Sequence, residues 1–367
     1  LERIRLEPGG ARSLMSIGKE VDGYLVRPTP SLKRVFSSSA ESLVGGSVPV
    51  CVEELARRAY AHALDPLINP FKQVLENYPS VRDMPPMLGI FNDIPASRMR
   101  EDEVLSWAKA GFSWIVSDGE HSQLNGRMGR EHNAILLRAG LTPVQRLHRE
   151  AVSEHGDALA TGARATMRPY GTTLAEAEQY FRAVNFPTHG AATPDDRGGF
   201  PVRLGDRELC FTPGSLRGAE TETQGWIQFE TAEYILDQGI RDSVLDLMAA
   251  QGPNRSAGFI GPFDAIMRNG PTPEMNDGIN NLIEAAAERG IAMGRVCGSG
   301  SCTKPEDIEE AMLIAIQKGA RLICAHYMTS DLPFKGAEAV AAPFWRACAR
   351  AGFSQKSTST ALELKAQ

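Results

Sequence analysis

Carboxylates, a histidine and an arginine recur in this chain where short apolar runs end. S-D-G-E-H supplies Asp118, Glu120 and His121, and T-P-V-Q-R-L carries Arg146. Q-F-E supplies Gln228 and Glu230, and G-P-F-D supplies Asp264. Two carboxylates completed by waters and substrate oxygens are the usual way to hold Mg²⁺. Glu230 and Asp264 are therefore candidate metal ligands, against the plainer roles of capping a helix and a turn. His121, with Asp118 three positions earlier, is a candidate base whose tautomer and charge a carboxylate sets. Arg146, near the end of a buried run, needs a negative partner: a structural carboxylate or that of a substrate. His148, His155, His189 and His326 carry no comparable signal.

The elements that must position these groups follow from a rhythm that begins at Met87. Apolar runs rich in β-branched or aromatic residues predict strands at 87–91, 113–118, 142–147, 165–170, 225–230, 257–262, 292–297 and 321–327. Between them lie helix candidates at 99–110, 127–139, 151–161, 173–184, 232–250, 277–289, 304–318 and 333–351. Thr173 and Glu176 form a capping box, and Pro305 sits just inside a helix opened by Thr303 or Lys304. Gly111, Gly140, Gly290 and Gly319 follow helix-like stretches as terminators. Parallel strands need crossover helices, so strict alternation predicts an α/β protein, a (β/α)8 TIM barrel. An open doubly wound sheet is the alternative, but no Gly-rich phosphate fingerprint follows the first strand.

A barrel puts catalytic groups at the C-terminal ends of its strands, where the candidates lie. Adjacent strands are about 4.8 Å apart, so Glu230 and Asp264, on the fifth and sixth strands, can share one ion.

Residues 1–85 are irregular and punctuated by Pro, Gly and Ser, with helices expected at 52–64 and 71–77. They are expected to pack on the barrel, 86–355, as an extension. Residues 356–367 are expected to be a disordered tail. A formal charge of -6 gives no electrostatic reason to expect nucleic acid or an anionic membrane surface as partner. No run of about 18 apolar residues exists, so no membrane span is expected. The start at Leu1 lacks a charged region followed by an apolar one, so no secretory signal is expected and a cytoplasmic location is. The six scattered cysteines suit reduced thiols. Cys297 and Cys302, in C-G-S-G-S-C, could suit a metal, but no clear histidine or second thiol pair accompanies them.

At these residues the chain resembles the class II pyruvate aldolases of the HpcH/HpaI aldolase and citrate lyase superfamily. The second-strand D-x-E-H matches Asp118, Glu120 and His121, and the third-strand P-V-x-R matches Pro143, Val144 and Arg146. The metal motif Q-x-E matches Gln228 and Glu230, and G-P-x-D matches Gly261, Pro262 and Asp264. G-F-x-W, ahead of the second-strand motif, is met by Gly111, Phe112 and Trp114. The likeness runs from Met87 to Phe353, roughly three quarters of the 367 residues.

The resemblance implies a carbon–carbon lyase in which Glu230 and Asp264 hold Mg²⁺, with Mn²⁺ or Co²⁺ as substitutes. The ion would chelate the carboxylate and keto oxygens of a pyruvate-like 2-oxo acid. Arg146 and the metal would stabilise the enolate. Backbone N–H groups near Phe263 and Asp264 would hold the carboxylate, with Gln228 and Gly261 beside it. His121, oriented by Asp118 and supported by Glu120, would move a proton through water in retro-aldol cleavage of a 4-hydroxy-2-oxo acid. The other product, or the acceptor in the reverse direction, is an aldehyde or related electrophile. Relatives also decarboxylate oxaloacetate, and one forms carbon–carbon bonds in natural-product assembly. A homohexamer that exchanges the last helix between subunits is implied as well.

The chain departs from the pattern at Ala160, where an acid is usual, and at Arg168-Pro169, where V-P is usual. It also carries a long charged loop at 188–224, with Arg197 in R-G-G-F. These departures bear on the second substrate more than on the metal end. Two other readings are a CoA-ester lyase, for which no basic site for the CoA tail is evident, and a non-catalytic barrel that binds 2-oxo acids. A dead scaffold has no physical need for Glu230, Asp264, His121 and Arg146 together.

Overall fold

From Met87 each apolar run becomes a parallel strand, because the helix after it returns the chain to the same end of the sheet. The strands are β4 (Met87–Asn92), β5 (Phe112–Asp118), β6 (Thr142–Arg146), β7 (Ala165–Arg168), β8 (Gln224–Phe229), β9 (Ser256–Ile260), β10 (Ala292–Cys297) and β11 (Leu322–Tyr327). They close in chain order, with β11 pairing back onto β4 through Leu322–Met87 and its successors. The computed structural model describes residues 2–5, 20–21 and 24–27. From 78 to 353 it describes all but 79, 93–99, 121–125, 149–157, 159–160, 185–223, 253–254, 298–303 and 328–335.

The helices described around the barrel are α1 (Glu101–Ala110), α2 (Gly126–Arg138), α3 (Leu174–Val184), α4 (Ala232–Ile235), α5 (Gln238–Ala250), α6 (Pro262–Asn269), α7 (Pro273–Glu288), α8 (Pro305–Lys318) and α9 (Ala337–Arg350). The capping box forms reciprocally: Glu176 N–H donates to Thr173 Oγ1 at 3.3 Å, and Thr173 N–H donates to Glu176 Oε2 at 3.0 Å. The four glycine terminators all take positive φ, from 72° at Gly290 to 112° at Gly319. Lys304 is the cap before Pro305.

Three expectations need correction. The predicted helix over 232–250 is two helices, because the Asp237 carboxylate accepts from Ile240 N–H at 3.0 Å and starts a new one. The predicted strand 257–262 ends at Ile260, and Pro262 instead opens α6, an element absent from the sequence reading. Proline at the first helical position lacks only an N–H that would have no helical partner. The next helix likewise begins early, at Pro273, where Thr272 accepts from Met275 N–H.

Residues read as irregular at the N-terminal end also include three short strands: β1 (Glu2–Arg5), β2 (Glu20–Val21) and β3 (Tyr24–Arg27). Ile4 pairs Leu25 in an antiparallel ladder, and runs of two to four residues are too short for periodicity to register. The helices expected at 52–64 and 71–77, the tail from 356 and most of the helix expected at 151–161 lie outside the described residues.

Side chains alternate along a strand, so every second residue faces the barrel axis. Phe91, Trp114, Val116, Val144, Met167, Trp226, Phe259, Leu322 and Cys324 form one buried cluster inside. Trp114 meets Trp226 edge-on, with ring centroids 5.5 Å apart. Gly89 makes room for this: a Cβ there would lie 2.1 Å from the Trp114 ring. A second cluster fills the layer between strands and helices. The inward alternation continues upward from Trp114 and Val116 to Asp118, from Val144 to Arg146, and from Trp226 to Gln228 and Glu230. Apolar side chains thus fill the barrel and polar ones finish it at one end.

The last helix, α9, packs against α1 and α8. Trp345 Nε1 donates to Ala110 O at 3.1 Å, and Arg350 pairs with Glu309 and Glu310 on α8. Among the described residues, no helix is long and apolar enough to cross a membrane.

Candidate active site

Arg146 sits where β6 ends and lies beside Asp118 in the strand register. Its Nε and one terminal nitrogen donate to the two Asp118 oxygens at 2.9 and 2.6 Å, a bidentate fork. The other terminal nitrogen pairs with Glu120 at 2.9 Å, and the guanidinium lies 4.7 Å from the Phe91 ring centroid. Glu120 N–H donates back to Asp118 Oδ1 at 2.8 Å, which fixes the turn after β5. All three ionic side chains are buried. Burial opposes the Arg146 charge, but the Asp118 hydrogen bonds and the charges of Asp118, Glu120 and Glu230 outweigh it and raise its pKa. The negative partner that Arg146 required is therefore supplied from within the chain. His121, the expected base, lies outside the described residues.

Glu230 follows β8 and is 1% exposed. Gln228 Nε2 donates to its Oε2 at 2.6 Å, and Tyr170 N–H donates to its Oε1 at 2.6 Å. Burial nevertheless pushes its pKa up to about 8. Arg146 and the Tyr170 hydrogen bond oppose that rise, while Asp264 and Glu120 add to it. A carboxyl held this way is charged only at a cost unless a cation joins it.

Asp264 occupies the first turn of α6, immediately above β9. The Tyr170 hydroxyl hydrogen-bonds its carboxylate, and burial with the Asp264 charge keeps that phenol above its ordinary pKa. The Arg268 guanidinium lies 5.1 Å from the Tyr170 ring centroid. The structure thus joins Arg146, Asp118 and Glu120 in one network. Gln228, Glu230, Tyr170 and Asp264 form a second, coupled to the first through charge. Tyr170 was missed because A-T-M-R-P-Y reads as strand to its end, whereas β7 stops at Arg168. Its position just past a barrel strand was the signal available.

A divalent cation suits this second network on three grounds. The Gln228 Oε1 atom is buried with no hydrogen-bond partner among the described residues, an acceptor held ready. Glu230 and Asp264 supply hard oxygen donors of the kind Mg²⁺ takes. Gly261 leaves the space beside Gln228 and Glu230 open: a Cβ there would stand 2.6 Å from Gln228 Nε2 and 3.3 Å from Glu230 Oε2. Gly261→Ala is accordingly expected to displace Gln228 and weaken Mn²⁺ binding about tenfold with the barrel intact, as isothermal titration would show. Among the described residues, no three His, Cys, Asp or Glu side chains converge, so the ion's other ligands would be water and substrate. Cys297 is buried, with its thiol donating to Arg295 O at 3.9 Å, and Cys302 lies outside the described residues.

The first N–H groups of α6, those of Phe263 and Asp264, have no acceptor inside the helix. The Phe263 side chain is exposed.

No family model matches the chain, and no curated protein does. Solved structures do. An HpcH/HpaI aldolase/citrate lyase family protein from Burkholderia cenocepacia J2315 is 22% identical, with a TM-score of 0.53 over 67% of this chain and 90% of that one. The HpcH/HpaI aldolase from Desulfitobacterium hafniense DCB-2 is 19% identical, with a TM-score of 0.51 over 66% and 86%. Macrophomate synthase is 16% identical, with a TM-score of 0.51 over 71% and 84%. This chain has the barrel fold of these solved structures, two of which carry the HpcH/HpaI aldolase name that its rim motifs resemble.

Proposed function

We propose that this protein is a divalent-metal-dependent carbon–carbon lyase of the HpcH/HpaI type, acting on a 2-oxo acid. The observation that carries the proposal is the pairing of buried Glu230 with Asp264 beside a Gln228 acceptor that has no partner among the described residues. A site of two carboxylates with an adjoining helix N-terminus suits a small anion that also brings oxygen ligands. Mg²⁺, Mn²⁺ or Co²⁺ bound there would act as a Lewis acid towards the 2-oxo oxygen.

The chain's own groups divide the remaining work. The Phe263 and Asp264 N–H groups bind the substrate carboxylate and orient it. Arg146 donates two N–H groups to Asp118 and is ion-paired with Glu120, and the fork this fixes aims its remaining donors at developing negative charge. With both carboxylates on Arg146, Asp118 acts first as the anchor of that arginine. His121, three residues further on, takes the 4-hydroxyl proton through water as the C3–C4 bond breaks, leaving an aldehyde and a pyruvate enolate, and returns that proton to C3 to give the pyruvate-like product. Oxaloacetate, with a carboxylate in place of the carbinol, would lose CO₂ by the same electron flow.

Oxalate, planar and anionic like the cleaved product, tests the metal end without turnover. It is expected to bind with Mn²⁺ present and about a hundredfold more weakly in EDTA. Equal affinity in both buffers would remove the metal from the site.

A further inference from the structure

Among the described residues around the proposed metal site, Tyr170 touches both candidate ligands through different atoms. Its N–H donates to Glu230 Oε1 at 2.6 Å and its hydroxyl bonds Asp264. Its φ of 54° makes it the non-glycine residue with positive φ among the described residues. A bulky side chain in the left-handed region is strained, and such strain persists only where the surroundings over-determine it. Here they do. The main chain is tied to β8 through Glu230, the ring reaches α6, and Arg268 closes over its face at 5.1 Å. Ordinary strand backbone continuing from β7 would not turn the N–H and the hydroxyl of one residue to two carboxylates on different elements.

We propose that Tyr170 is a positioning residue that sets the separation of Glu230 and Asp264 before a divalent cation binds. The proposal rests on the reading of these two residues as metal ligands. Two carboxyl groups on different elements have no fixed separation without donors to hold them, and they repel each other once both are charged. Tyr170 supplies one donor to each. A carboxylate oxygen that accepts one hydrogen bond keeps a lone pair for a cation, so the clamp and the ion do not compete for the same electrons. Groups that orient metal ligands in this way typically change metal affinity by about 10–100-fold when removed.

The test is Mn²⁺ affinity, read by titration calorimetry and by the free-Mn²⁺ EPR signal, with urea unfolding of the metal-free proteins alongside. Tyr170→Phe removes only the hydroxyl and is expected to weaken Mn²⁺ at least tenfold while the metal-free unfolding midpoint holds. Tyr170→Gly adopts the same φ without strain and keeps the N–H, so it serves as a second variant without the hydroxyl. It is expected to bind Mn²⁺ as weakly as Tyr170→Phe. Wild-type affinity in either folded variant would overturn the assignment of Tyr170 and leave the metal site standing. Absence of Mn²⁺ binding by the wild-type protein would instead overturn the metal-ligand reading, and Tyr170's role with it.

Discussion

Glu230→Gln is expected to leave the barrel folded and to lower metal-supported turnover about a thousandfold, a loss of ~4 kcal/mol of barrier reduction. The amide keeps the shape and an acceptor but loses the charge that a divalent ion needs. The same substitution should change the pH dependence of stability. The folded metal-free protein holds a proton on Glu230 up to about pH 8, whereas an ordinary glutamate releases it near 4.5. Between those values the folded state binds the extra proton, so stability falls as pH rises through the window. The slope is about 1.4 kcal/mol per pH unit at most. Urea unfolding in EDTA at pH 5.5, 7 and 8.5 should show wild type losing ground to Glu230→Gln across the series. A cation displaces that proton, so Mn²⁺ affinity should rise about tenfold per pH unit until about pH 8 and then level. A constant stability difference between the two proteins would mean that Glu230 is already charged without metal.

Arg146→Met is expected to have the second large effect, on the fold itself. It would strand Asp118 and Glu120, both buried, without their cation. Breaking a buried ion pair from one side costs about 3–5 kcal/mol. Arg146→Lys keeps a charge but not the fork, and should lose about 2 kcal/mol and at least about a hundredfold in kcat. The triple change Arg146→Met, Asp118→Asn, Glu120→Gln removes all three charges together. It should recover most of the unfolding free energy and none of the turnover. Recovery of both would reduce the network to a structural role. An unrecovered fold would show that these side chains hold the β5–β6 rim by hydrogen bonding more than by charge.

The barrel was legible because two periodicities alternate, and long apolar runs separated by capped helices leave few other topologies. Most strand and helix limits agree with the sequence within two residues. The exceptions share a cause: local side-chain chemistry overrode the apolar pattern. Asp237 interrupted one amphipathic stretch by capping a new helix, and Pro262 turned the end of a strand run into α6. At the site, the inward parity of Asp118, Arg146, Gln228 and Glu230 could be read from spacing alone. Which carboxylate Arg146 would take could not, because that depends on the register of β5 against β6. Asp118 was expected to orient His121, and the structure shows it held by Arg146 on both oxygens. Tyr170's role was missed for a related reason. Its role depends on a left-handed backbone and on two residues that are distant along the chain and meet only in the closed barrel.

Pyruvate release from a 4-hydroxy-2-oxo acid and from oxaloacetate, with Mg²⁺ or Mn²⁺ and then with excess EDTA, tests the central claim most directly. Free divalent ions decarboxylate oxaloacetate unaided, so Glu230→Gln with the same metal is the necessary baseline. Wild type should release pyruvate with metal, stop in EDTA, recover on adding metal back, and exceed the Glu230→Gln rate about a thousandfold. Turnover unaffected by EDTA, or equal in wild type and Glu230→Gln, would contradict the account.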